Sequence, residues 1–104
     1  MFHAVSKITI IAERLLQKKL IAQIEEAGAK GYTIVDGSGK GEHFVRPGDR
    51  ATVIKAFSII RIEAILADEA TARALAEEIT KIHFKDYSGI VYLSPIEVVR
   101  KDKF

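Results

Sequence analysis

The chain has no cysteine. That absence excludes disulfide staples, thiolate metal ligation, iron–sulfur clusters and thiol catalysis from its own residues. Long apolar runs are missing too: none reaches the roughly 18 residues needed to span a bilayer. The opening MFHAVSKITI carries neither the basic segment nor the extended apolar stretch of a secretory leader. A cytoplasmic location is the expectation. An excess of one charge is also absent, with 16 basic residues against 14 acidic. Bulk attraction to nucleic acid is therefore not a basis for function, and no nucleic-acid partner is expected.

The motifs of common chemistries are missing as well. No GxSxG, HExxH or P-loop pattern occurs. His3, His43 and His83 are not spaced as zinc ligands, so no metal site is expected. Glu77 and Glu78 are adjacent on a predicted helix, where neighbouring side chains point apart, so they read as solvated charges rather than a catalytic pair. No catalytic residue is expected, and the protein reads as a non-enzyme. A ferredoxin-like RNA-binding module would need paired aromatics on exposed strand positions. Only Tyr32 and Tyr92 are placed for that.

What the chain does have is 104 residues, 48% of them apolar, which suits one domain spanning residues 1–104. A monomer this small leaves much surface exposed, so an oligomer that buries a further face would help it. From Val5 to Ala12, VSKITIIA is short and β-branched and reads as a first strand. From Glu13 to Ala27, Leu16, Leu20, Ile24 and Ala27 recur at helical spacing, and Gly28 is the predicted stop. Tyr32 to Val35 is a short second strand, ended by the turn-prone Asp36, Gly37, Ser38 and Gly39.

Gly37 to Thr52 has no periodicity and is long for a connection inside a compact domain, which marks it as a functional or disordered loop. Its glycines Gly37, Gly39 and Gly41, with Lys40, His43, Arg46 and Arg50, could cradle an anion between backbone amides and mobile cations. The alternative is a polar loop with incidental charge. The basic cluster Arg100, Lys101 and Lys103 admits the same two readings.

Alternation returns over Val53 to Leu66, with Ile60, Ile62, Ala64 and Leu66 on one side and Arg61 and Glu63 on the other. Ile59 and Ile65 share the polar side, which an interface would explain. Asp68 is a predicted N-cap for a second helix striped by Ala72, Leu75, Ala76, Ile79 and Ile82. His83 after that stripe reads as a partly buried, hydrogen-bonded histidine. FKDYSG breaks the helix before a last strand over Ile90 to Val99, whose Pro95 suits a sheet edge or a bulge. The order βαββαβ predicts an α+β, ferredoxin-like fold: a four-stranded antiparallel sheet with both helices on one face.

In this order GAKGYTIV, GSGKG with a later arginine, the long third strand and HFKDYSGIVYLSPIEV resemble the PII-like signalling proteins. The SbtB-type regulators of bicarbonate transport are the most similar branch, with carboxysome-associated PII proteins next. The resemblance covers nearly the whole chain. It implies a cytoplasmic homotrimer that binds an adenine nucleotide (AMP, ADP, ATP or cyclic AMP) in clefts between subunits. A mobile T-loop, about residues 37–52, would then dock on a target, often a membrane transporter.

By position, the resemblance implies that Thr33 and Ile34 line the adenine pocket through backbone groups. Gly39, Lys40 and Gly41 would form the base of the T-loop, and Arg46 would reach phosphate. Ser88 and Gly89 would belong to the B-loop, about residues 84–89, which closes the cleft. Lys101 and Lys103 of a neighbouring subunit would meet phosphate.

Several positions depart from the family pattern. Glu42 and His43 replace the arginine and glutamine of other PII proteins, which argues against sensing of 2-oxoglutarate. Ile90 stands where a phosphate-binding lysine is usual, which argues against tight triphosphate binding. His43 also replaces the arginine usual in SbtB-type proteins. With a reference pKa near 6.5 it could tie phosphate affinity to pH, or it could simply be an exposed loop histidine. No tyrosine lies between Gly37 and Thr52 to accept uridylylation, and redox control through a cysteine-bearing tail is not expected. The competing reading is a ferredoxin-like trimer of the divalent-cation-tolerance type, binding metal or purely structural.

Overall fold

The structure, a computed structural model, describes residues 1–37 and 58–99. Within them the chain forms strand β1 (His3–Glu13), a 3-10 turn (Arg14–Leu16), helix α1 (Gln17–Glu26), and strands β2 (Tyr32–Gly37) and β3 (Ile59–Leu66). Helix α2 (Glu69–His83) and strand β4 (Gly89–Val98) complete it. The strands form one antiparallel sheet in the order β2-β3-β1-β4. This is the ferredoxin-like α+β arrangement that the element order predicts.

Period-two alternation decides which face is buried. Ile8, Ile10 and Ala12 of β1 and Ile60, Ile62, Ala64 and Leu66 of β3 point to one side, where Leu20 and Ile24 of α1 and Ala72, Leu75 and Ile79 of α2 meet them in a single core. Both helices therefore cover the same sheet face. The opposite face keeps Lys7, Arg61 and Glu63 beside Val35, Ile90 and Tyr92, and those three apolar or aromatic side chains are exposed.

Helix α1 ends as its sequence predicts. Gly28 has φ +99°, its N–H reaches the Glu25 carbonyl at 3.0 Å, and the Ala29 N–H reaches the Ile24 carbonyl at 3.3 Å. The two bonds form a Schellman motif, in which glycine takes the left-handed backbone that a Cβ would penalise. Helix α2 starts at Asp68, whose carboxylate accepts the Thr71 N–H at 2.7 Å. That bond, and then the one from the Thr71 hydroxyl, hold the Asp68 pKa below the usual carboxylate value against a small opposing effect of desolvation. Pro95 lies on β4, an outer strand, opposite Ser6, a position that tolerates a residue without an N–H.

Three local readings change. The strand β1 continues to Glu13, and a 3-10 turn separates it from α1. Strand β2 runs on through Asp36 and Gly37, which pair with Ile60 and Ile59 despite their turn chemistry. Ile82 is 54% exposed and His83 is buried in its place. At about 100° per residue, His83 falls closer than Ile82 to the line of every fourth residue through Leu75 and Ile79, which leaves Ile82 at the edge of the buried stripe. Glu78 is exposed, as the sequence implies, and accepts a bond from Gln23 at 3.1 Å.

Among the described residues, no helix is long and apolar enough to cross a membrane.

Candidate functional site

Strand register brings four chain segments to one end of the sheet. Gly37 at the end of β2 pairs with Ile59 at the start of β3, and Ile59 pairs with Glu13 at the end of β1. Ala12, beside Glu13, pairs with Gly89 at the start of β4. The connection spanning 38–57 and the turn before β4 therefore both depart from this end.

The turn is built by its own sequence. The Asp86 and Tyr87 N–H groups both return to the His83 carbonyl, at 3.2 and 2.9 Å. Phe84 and Tyr87 pack on the core. Phe84 lies directly over Gly89: a Cβ there would sit 2.3 Å from the Phe84 ring and 2.9 Å from the Ile11 carbonyl oxygen. This is the physical content of the FKDYSG pattern, and it fixes Ser88 and Gly89 in place.

Consecutive residues at the end of β1 hold the surrounding segments. Glu13 is 2% exposed, and its carboxylate accepts the Ser88 N–H at 2.7 Å. Arg14 donates its backbone N–H to the Ser58 carbonyl at 2.8 Å and its Nε–H to Ser58 Oγ at 2.8 Å. Its terminal guanidinium nitrogen pairs with Asp36. Sequence reading assigned Glu13 and Arg14 to a helix start, and only long-range pairing reveals this role.

Thr33 lies elsewhere on the sheet. It is exposed on β2 opposite Glu63, beside a shallow pocket of about 250 Å³ lined by Lys7, Gly31, Tyr32, Thr33, Glu63, Ala64 and Ile65. Ile34 is half-buried opposite Ile62 and packs into the core, so a ligand would meet its backbone rather than its side chain. Strand β2 is an outer strand, and an outer strand leaves alternate backbone groups free for a ligand or another chain.

Glu63 stands between two cations, with Lys7 Nζ at 3.8 Å and Arg61 Nε at 3.6 Å. The pocket thus joins a carboxylate acceptor, an ammonium donor and the apolar flank of Ile65. That combination suits a flat heterocycle carrying an amino group. Alternation placed Glu63 on the polar side of β3. It placed Ile65 on that side too, whereas Lys7 was missed because its meeting with them depends on the β1–β3 register.

Thr33 and Ser88 do not meet within one chain. Four residues of strand separate the level of Thr33 from that of Gly37, about 13 Å, and three inter-strand steps across the sheet add about 14 Å. Gly39, Lys40, Gly41, His43, Arg46, Lys101 and Lys103 lie outside the described residues, as does most of the segment 37–52.

The family model for nitrogen regulatory protein P-II matches residues 5–103. The chain belongs to the PII family. Solved PII-like structures agree with it over nearly their full length. A PII-like signalling protein from Thermus thermophilus is 32% identical with a TM-score of 0.81, over 99% of this chain and 97% of that one. CPII from Thiomonas intermedia, in a structure bound to ADP, AMP and bicarbonate, is 30% identical with a TM-score of 0.82, over 100% of this chain and 96% of that one. Its apo form is 28% identical with a TM-score of 0.72, over 94% and 95% of the two chains. The GAKGYT and FKDYSG segments of this PII chain both lie within the matched residues 5–103.

Proposed function

We propose that this PII chain is a non-enzymatic cytoplasmic sensor that binds an adenine nucleotide between the subunits of a homotrimer. The observation that carries the reading is the separation of Thr33 from Ser88. The family resemblance assigns each of them to the nucleotide cleft, and one chain does not bring them together. A second chain whose outer strand lies against the first would supply the missing half of the cleft. That CPII is bound to ADP, AMP and bicarbonate supports the same ligand class here.

In this reading residues 1–104 form one PII-like domain. Thr33 and Ile34 offer backbone groups to the adenine, and Ser88 and Gly89, in the B-loop at 84–89, close on the phosphate side. Gly39, Lys40, Gly41, His43 and Arg46 of the T-loop at 37–52 approach the phosphates, with Lys101 and Lys103 from a neighbouring subunit. Signalling is a shift in T-loop population, which requires the nucleotide to bind one loop state better than the other. The target is a membrane transporter, with bicarbonate as its solute if the SbtB-type branch is correct.

Isothermal titration with AMP, ADP, ATP and cyclic AMP, each with and without bicarbonate and with oligomeric mass recorded in parallel, tests the proposal. A trimer that binds at least one of them at micromolar concentration, and more weakly in Arg46→Ala, is the expected result. A well-folded trimer that binds none would overturn the nucleotide reading and favour the structural or metal-binding alternative.

A further inference from the structure

Glu13 and Arg14 have no evident need to be ionic if β1 merely ends there. An apolar residue would continue the strand without removing a carboxylate from water, a costly step unless hydrogen bonds replace the lost hydration. In this fold the carboxylate is buried and bonded to the Ser88 N–H at 2.7 Å. Its neighbour in sequence is fixed to the two strand ends that flank residues 38–57: to Ser58 through backbone and side chain, and to Asp36 through the guanidinium.

The two grips are joined by a single peptide unit about 3.8 Å long. A displacement of Ser88 that keeps its bond to Glu13 must move the strand end carrying Arg14, and with it Ser58 and Asp36. We infer that Glu13 and Arg14 are positioning residues that couple the turn at 84–89 to the bases of β2 and β3. In this way the contents of the site at Ser88 and Gly89 set the placement of the strand ends that carry residues 38–57. The functional half of this inference rests on the nucleotide reading above, whereas the mechanical half does not.

The arrangement has a directional consequence. The Arg14 fork spans both strand ends at once, and lysine, a single ammonium, cannot reproduce that geometry. Glu13→Gln keeps an acceptor of nearly the same shape but removes the charge that strengthens the bond to Ser88. Both variants leave the helix-side core untouched, so both should fold.

Amide hydrogen exchange by NMR on the intact protein tests the coupling without any ligand. In Glu13→Gln, exchange is expected to rise about tenfold at Ser88, the ratio between a charge-assisted and a neutral hydrogen bond. It should also rise several-fold at Gly37, which lies on the far side of β3 from Glu13. In Arg14→Lys, the rise should be largest at the amide of residue 14, which donates to the Ser58 carbonyl, and should carry over to Ser88. Changes confined in each variant to its own bonded partner, or no change in either, would overturn the inference.

A second arm titrates ADP and adenosine into the same proteins. The ratio of ADP to adenosine affinity is expected to fall about tenfold in either variant, because the phosphate-facing turn loses its placement. A ratio equal to that of the parent protein, or an equal loss for both ligands, would contradict the proposed link to the site. If the parent protein binds neither ligand, the nucleotide reading fails, and the coupling is decided by hydrogen exchange alone.

Discussion

Replacing Gly89 with alanine is expected to destabilise the fold by about 2–3 kcal/mol, the range of core overpacking. The new Cβ would lie 2.3 Å from two Phe84 ring atoms and 2.9 Å from the Ile11 carbonyl oxygen. The ring can swing, but only by leaving the core it seals, and the carbonyl belongs to the backbone of β1. The same change should disturb the turn that presents Ser88. Shortening the obstructing side chain should relieve part of the clash, so Gly89→Ala combined with Phe84→Leu should be more stable than additivity of the two single changes allows. Urea unfolding of the four proteins measures this. A Gly89→Ala protein as stable as the parent, or strictly additive effects, would show that Phe84 does not hold this glycine in place.

Acid is the second perturbation, and it acts through His83. The side chain is 5% exposed, and its Nε2 lies 2.6 Å from Gln23 Oε1, while the Gln23 amide donates to Glu78 at 3.1 Å. With its amide so engaged, Gln23 presents its carbonyl to His83, so Nε2 carries a proton and donates it to that carbonyl. Burial, and secondarily the Lys19 charge, holds the His83 pKa below its ordinary value of 6.5.

The folded state thus binds a proton less readily than the unfolded chain. The stabilisation is complete above the unfolded pKa near 6.5, and it is lost as pH falls through the lower folded value. His83→Leu removes the titration together with the bond to Gln23. The parent protein should therefore be the more stable at pH 7.5, with its advantage narrowing steadily towards pH 5. Denaturant midpoints that run parallel for the two proteins across that range would exclude His83 as the acid-sensitive group.

The legibility of this chain follows the range of its interactions. Local rules located α2, because Asp68 caps it and Ala72, Leu75 and Ile79 repeat at helical spacing. They also located the end of α1, because Gly28 adopts the backbone that a Schellman motif requires. Once the elements were placed, their order implied the antiparallel sheet. Local rules failed at Asp36 and Gly37, where turn propensity lost to pairing with Ile60 and Ile59 and to the contact with Arg14.

At the candidate site, the break ahead of β4 could be read from the FKDYSG pattern, whereas the roles given to Ser88 and Gly89 came from the family resemblance. The Lys7–Glu63 pair and the Glu13–Ser88 bond could not, since both depend on register between segments distant in sequence. The glycines and basic residues of the 37–52 segment, and the basic cluster near the C-terminus, could be read as possible anion contacts, but their particular roles came from the family resemblance. All of them except Gly37 lie outside the described residues.

The central claim is that adenine nucleotide joins the edge of β2 to the turn before β4 across two subunits. The direct measurement is amide hydrogen exchange along the chain during titration with ADP, with mass recorded at each point. The account predicts protection rising together at Tyr32–Gly37 and at Ser88–Gly89, with the protein trimeric and one nucleotide bound per chain at saturation. Protection confined to the groove between the helices, lined by Gln23, Glu26, Thr71 and Glu78, or absent from both predicted segments at saturating ADP, would contradict it.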